Sequence, residues 1–236
     1  IDEAFAIAKT RHTFVSESIF IGSANDGEAA IIEKTPTKTE LFRTTGNDII
    51  CSNHFQGNDF QTDEANMTHK MESSSNYRYK RMDQLLNQNY PLTIGETGSI
   101  LRDHYGMDGA EIGLGNEDAI NQLLAHHSII FMPEKKLVWI SANPVPYNDY
   151  VAYDLNKIFG TYAGMKQTQR VDEADLRISA DSFLTNGYSK YLEYRRLSKV
   201  LSKLNKAEDG QAWSESQLQE LIALNPNYFE AYELVG

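Results

Sequence analysis

The chain has 236 residues, a formal net charge of −11, 41% apolar residues and one cysteine. That length can bury a substantial core and fits one domain, or one domain with an appendage. The acidic balance argues against nucleic acid as a partner, which needs clustered Lys and Arg, the lone cysteine excludes a disulfide framework and a Cys-rich zinc site, and no apolar run approaches the roughly 18 to 20 residues of a membrane span, so the stretch reads as soluble.

The first residues, Ile1-Asp2-Glu3-Ala4-Phe5, hold no initiator Met, signal peptide or obvious first strand, so the chain reads as a piece of a longer protein. Its compartment stays open, export included. Ala4, Phe5, Ile7 and Ala8 recur at helical spacing behind Asp2 and Glu3, which predicts the end of an amphipathic helix. Two β-like runs, Ser18 to Ser23 and Ala29 to Glu33, flank the turn signal Asn25-Asp26-Gly27, and a third, Glu40 to Thr44, comes after the break at Pro36. After Gly46, the run Asn47 to Asn53 predicts a fourth strand of an antiparallel meander, ending in Ser52-Asn53-His54-Phe55.

Residues 55–75 are polar and poor in Leu, Ile and Val, which predicts a long loop of the kind that borders a site. Within it, Asn66-Met67-Thr68 has the form of a glycosylation sequon, a triplet that often arises by chance. Ser73-Ser74-Ser75-Asn76 caps a helix carrying Tyr77, Arg78, Arg81, Met82, Leu85 and Leu86, and a short helix runs from Thr93 to about His104. Gly106, Gly109, Gly113, Gly115 and Asn116 fit neither a dinucleotide fingerprint nor a phosphate loop, and read as a loop. His127 to Met132 and Leu137 to Ala142, joined by Pro133-Glu134-Lys135-Lys136, form the clearest hairpin. Beyond it lies a Tyr-rich connection, in which Tyr147, Tyr150 and Tyr153 are placed to cover an edge.

Farther on, Tyr188, Tyr191, Leu192, Leu197, Val200, Leu201 and Leu204 mark a long amphipathic helix. Ser214 with Gln217 has the form of a capping box, with Trp213 set to staple onto Leu218, and opens a helix through Leu221, Ile222 and Leu224. Asn225-Pro226 begins a third, in a joint like that of a tetratricopeptide helix pair, although one copy defines no repeat array.

The chemistry concentrates around residue 53. Cys51 with His54 as base would need the predicted strand to break between them, because residues three apart on a strand face opposite ways, so Cys51 reads as a buried structural thiol. The histidines show no metal-ligand spacing, and neither a metal nor a cofactor is expected. Asn53 is the better candidate, since an amide at a strand end can donate to a developing oxyanion; its structural alternative is a turn cap. Arg78 and Arg81 lie about one turn apart, suited to orienting a substrate or carboxylate, or to a surface ion pair.

The ordered motifs "Ile-Phe-Ile-Gly-Ser-Ala-Asn-Asp-Gly-Glu-Ala-Ala-Ile-Ile-Glu", Cys51-Ser52-Asn53-His54-Phe55, "Tyr-Arg-Tyr-Lys-Arg-Met-Asp-Gln-Leu-Leu" and "His-Ser-Ile-Ile-Phe-Met-Pro-Glu-Lys-Lys-Leu-Val-Trp-Ile" together resemble the C-terminal half of the acyl-CoA:6-aminopenicillanic-acid acyltransferase family, over about residues 1 to 142. That family stands with choloylglycine hydrolases and acid ceramidase-like amidases among the N-terminal-nucleophile hydrolases. The resemblance implies an α+β fold, part of a four-layer αββα sandwich with antiparallel sheets over residues 1–160, and the helical periodicity beyond it makes residues 161–236 a helical extension, tetratricopeptide-like in its joint. It implies that autocleavage exposes an N-terminal cysteine serving as nucleophile and, through its amine, as base.

On the same resemblance, the asparagine of the family's "Thr-Asn-His" motif falls on Asn53 as oxyanion donor, with Ser52 in place of the threonine. Ser74, Ser75 and His54 are placed to line the substrate pocket. The family's arginine stays open between Arg78 and Arg81, and where some members carry one before the last hairpin this chain has Asn121-Gln122. Since the chain starts with Ile1 and Cys51 sits on the wrong element, the nucleophile is expected upstream or on another chain, and this polypeptide alone is expected to be inactive. The implied activity is hydrolysis or acyl exchange at a linear amide of a small acylated molecule. The alternatives are a non-catalytic binding or assembly module with the same fold, and a thiol hydrolase built on Cys51.

Overall fold

The computed structural model describes residues 1–165, 170–204 and 214–234. The chain forms two compact units, Ile1–Tyr90 with Met132–Leu137, and Pro91–Phe131 with Val138–Gly236. Helices and antiparallel strands mix in an α+β manner, and among the described residues no helix is long and apolar enough to cross a membrane.

In the first unit, helix α1 (Asp2–Thr10) precedes strands β1 (Glu17–Ser23), β2 (Glu28–Lys34) and β3 (Thr39–Phe42), which pair in that order. The β1–β2 turn is where the Asn-Asp-Gly signal placed it: Gly27 takes φ +67° and its N–H reaches Ser23 O at 2.9 Å. The register sets Phe20 against Ile31 and Ile31 against Phe42, so β2, the central strand, is buried from Ala30 to Lys34.

The meander stops at three strands. Residues 47–53, expected as a fourth, form no strand, and from Ser52 into the next loop the backbone is held by side chains rather than by a β ladder. The β2–β3 register brings Glu33 opposite Glu40, a like-charge pair that costs stability unless each carboxylate finds donors. Both find them in that loop: Glu33 accepts from the N–H groups of Gln56 (2.6 Å) and Gly57 (2.8 Å), and Glu40 from that of Asp59 (2.9 Å).

The stretch expected as one long loop contains a 3₁₀ turn, Asn58–Phe60, and helix α2 (Glu64–Glu72). Asp63 caps α2 by accepting from Asn66 N–H at 2.9 Å. The side chain of Asn66 accepts from Phe55 N–H at 2.9 Å and donates to the carbonyls of Phe55 and Phe60, each at 3.1 Å, so the sequon asparagine is a clamp inside the unit. Helix α3 (Ser75–Asn89) comes next, with Ser74 at its N-cap.

The second unit opens with helix α4 (Ile94–Leu101), whose Thr93–Glu96 capping box is complete. It ends before the expected His104: the N–H groups of Arg102 and Asp103 turn back to Ser99 and Ile100 in 3₁₀ fashion. Strands β4 (Ile129–Met132) and β5 (Leu137–Ser141) make the expected hairpin, and β6 (Tyr150–Asp154), expected as connection, adds to it in the order β4-β5-β6. Tyr150 is fully buried in β6 and bridges to Ile178.

Helices α5 (Phe183–Leu204), α6 (Glu215–Leu224) and α7 (Phe229–Glu233) share one apolar cluster with Leu123, Val145 and Tyr147. The glycine loop is the other side of that packing. Gly113, at φ +88°, lies where a Cβ would come within 2.6 Å of the Tyr228 backbone, and Gly115, at φ +83°, where one would strike the Tyr191 ring. Between them, Leu114 exchanges two 2.8 Å hydrogen bonds with the buried amide of Asn225. With its side chain so engaged, Asn225 precedes rather than starts α7. The Ser214–Gln217 capping box is present; Trp213, expected to staple onto Leu218, lies outside the described residues.

Candidate functional site

The first turn of α3 holds three consecutive residues of the segment before it. Ser52 Oγ donates to Ser75 O at 2.9 Å and lies 3.0 Å from Ser75 Oγ, which is itself 2.8 Å from His54 Nδ1. One turn along α3, Arg78 donates to Asn53 Oδ1 at 2.7 Å. Thus Ser75 grips the residues on either side of Asn53, and Arg78 grips Asn53 itself. The residues after it are fixed as firmly, by the clamps from Asn66 and Glu33.

Burial grades this arrangement from support to surface. Ser75 and His54 are buried, Ser52 and Arg78 are partly covered, and Asn53 is exposed at the top. A guanidinium has only donors, so the atom of Asn53 that faces Arg78 must be the carbonyl oxygen, and the Nδ2 end is the one left to present N–H bonds outward. The adjacent positive charge draws electron density from the amide and strengthens those donors. The local chemistry is therefore that of a fixed, polarised hydrogen-bond donor.

His54 is a weak base, poorly suited to drawing a proton from a thiol. Burial, aided by the positive charges of Lys70, His69 and Arg78, lowers its pKa to about 4, and its Nδ1 is engaged by Ser75. Cys51, expected as a buried thiol, is exposed, with Sγ 3.9 Å from Ser52 O. Desolvation in its local surroundings, opposed by a hydrogen bond with Ser18 and aided by the charge of Glu33, still raises its pKa, so the thiolate is scarce at neutral pH. The thiol and imidazole do not form a nucleophile–base pair.

The other expected residues separate. Ser74 sits at the α3 N-cap without a side-chain cap bond, while Ser73 Oγ accepts from Ser75 N–H at 3.3 Å. Arg81 is buried and donates to Gln84 Oε1 at 2.8 Å on its own helix. Among the described residues no three His, Cys, Asp or Glu side chains come together as a metal site. Ser52, Asn66 and Glu33 were not anticipated as supports. Glu33 carried a signal, a charged residue ending the apolar run Ala29 to Ile32 on a strand that proves central.

Residues 1–141 match the family described as acyl-coenzyme A:6-aminopenicillanic acid acyl-transferase, which is more than half of the 236 residues. The chain belongs to that family. The acyl-transferase match takes in α1 through β5 and therefore all of the Asn53 arrangement, and leaves β6 and the C-terminal helices beyond it. No curated protein and no solved structure matches the chain.

Proposed function

We propose that this chain is the C-terminal portion of a cysteine N-terminal-nucleophile amidohydrolase or acyltransferase that acts on a linear amide of a small acylated molecule. Residues 1–160 belong to a four-layer αββα domain, followed by a helical extension within residues 161–236. Asn53 is the oxyanion donor, Arg78 orients and polarises it, and Ser52, His54 and Ser75 hold its backbone. Ser74 and Arg81 stand nearby on α3 as substrate-binding candidates. Membership of the acyl-transferase family supports the reaction class, and the 2.7 Å contact between Arg78 and Asn53 Oδ1 is the observation that carries the assignment.

In this mechanism a cysteine thiolate attacks the amide carbonyl, and the carbonyl oxygen takes up negative charge within reach of Asn53 Nδ2. The C–N bond then breaks, the amine leaves with a proton from the nucleophile's base, and the thioester passes its acyl group to water or to a second amine. Cys51, the one cysteine of these 236 residues, is a poor candidate for that thiolate, with a raised pKa and a neighbouring histidine that is buried, weakly basic and bonded to Ser75. The nucleophile therefore comes from a segment upstream or from another chain.

The test is to incubate the assembled protein with a panel of N-acyl amides, quench in acid and locate the acyl mass by peptide sequencing. An adduct on an N-terminal cysteine outside these residues is expected. An adduct on Cys51 would overturn the assignment.

A further inference from the structure

The second unit holds a cavity of about 360 Å³ beside the start of α5, and nothing in the acyl-transfer mechanism uses it. His104 is one of the residues that line it. Tyr105 stacks on the imidazole with ring centroids 4.4 Å apart and planes 29° apart, and Phe183 covers it at 4.3 Å and 33°. Nδ1 is 2.7 Å from the Tyr147 hydroxyl, which donates its own proton to the carbonyl of Arg102.

Those bonds fix the tautomer. A carbonyl can only accept, so the one hydroxyl proton of Tyr147 is used on Arg102, and the contact with His104 must be an Nδ1–H donating to the phenol oxygen. A neutral imidazole carries one N–H, which leaves Nε2 as a lone pair. Burial keeps the ring neutral by lowering its pKa, against the opposing pull of the Arg102 carbonyl and of Asp103, Asp181 and Glu111. His104 is among the residues lining the cavity, and with Nδ1 tied, Nε2 is the ring atom left to accept a hydrogen bond.

The charged residues lining the cavity are biased toward negative charge. Asp103 and Asp181 both line the cavity, and Asp181 is fixed at the head of α5 by accepting from Phe183 N–H at 2.8 Å. Arg102 also lines it, but its guanidinium is directed to three backbone carbonyls, those of Pro146 (2.9 Å), Asn148 (2.7 Å) and Ser179 (3.0 Å). Two carboxylates, one cation and an acceptor nitrogen between aromatic rings suit a ligand that only donates and carries positive charge.

We propose that this cavity binds a small primary ammonium ion on an apolar body, its N–H groups shared between His104 Nε2 and the Asp181 carboxylate, its body against Tyr105 and Phe183. The site lies on the second unit and does not depend on the role given to Asn53. A volume of about 360 Å³ sits at the lower end of the range for small-molecule sites, roughly 300 to 1,000 Å³.

The test uses the full chain and three probes of one shape, benzylamine, benzyl alcohol and phenylacetate, with binding read by calorimetry and by nitrogen-detected NMR of the histidine rings at pH 7.5. Benzylamine is expected to bind most tightly and to shift the His104 Nε2 resonance, which reports an unprotonated nitrogen beforehand. Asp181→Asn keeps the acceptor for Phe183 N–H and is expected to weaken benzylamine about tenfold, and His104→Phe to remove most of the binding. Phenylacetate or benzyl alcohol binding as tightly as benzylamine, an unmoved His104 signal, or a proton found on Nε2 would each overturn the proposal. Should His104→Phe fail to fold, the wild-type tautomer and Asp181→Asn decide.

Discussion

Acid should loosen this chain through His54 in a window that can be calculated. His54 is only 3% exposed, and its pKa is lowered from 6.5 to about 4 in the fold. An unfolded chain takes up the proton between those values and the folded chain refuses it, so stability is complete above pH 6.5 and falls as the pH drops toward 4. Each unit removes about 1.4 kcal/mol, on the order of 3 kcal/mol across the window, with no further loss from this residue below it. Against a typical total of about 5 to 15 kcal/mol that loss is large. The assay is urea denaturation at pH 7, 6, 5 and 4 for the wild type and for His54→Gln, whose amide can still pair with Ser75 but does not ionise. Carboxylates common to both proteins cancel in the difference. Curves that stay parallel to within about 0.5 kcal/mol would refute a buried neutral histidine at this position.

Two further outcomes rest on single contacts. Asn225→Ala should destabilise the second unit by about 2 to 4 kcal/mol, because the buried amide satisfies both the N–H and the carbonyl of Leu114; a shift of the denaturation midpoint worth less than about 1 kcal/mol would contradict that. Cys51, exposed but with a raised pKa, should alkylate in the native state slowly near pH 7 and faster as the pH is raised; rapid labelling at neutral pH, timed by mass spectrometry, would show an activated thiol.

Local chemistry is the part of the fold that was readable in the sequence. The β1–β2 hairpin comes from Asn25-Asp26-Gly27, and the starts of α4 and α6 from the Thr93–Glu96 and Ser214–Gln217 capping boxes. Segment 47–53 looked like a strand because Ile49-Ile50-Cys51 is apolar, but it forms no ladder, and long-range side-chain bonds from Ser75, Arg78, Asn66 and Glu33 hold the stretch from Ser52 onward. No periodicity records such partners. Helix α2 hid for the opposite reason: it buries no residue, so it shows no apolar stripe, although Asp63 and Glu64 were a usable start signal. Strand β6 was obscured by the prolines before it.

The site divides in the same way. Asn53 and Arg78 were each visible as candidates, but their contact depends on the fold, as does the placing of Ser75 between Ser52 and His54. Burial of Arg81 and exposure of Cys51 depend on how the helices and the first sheet pack, which residue type alone does not fix.

The most direct measurement is the turnover of Asn53→Ala in the assembled protein alongside its denaturation midpoint. Asn53 is exposed and its bond to Arg78 lies at the surface, so the midpoint should shift by no more than about 1 kcal/mol while kcat/KM falls on the order of 100-fold. Turnover within about twofold of wild type in a folded variant would contradict the oxyanion role.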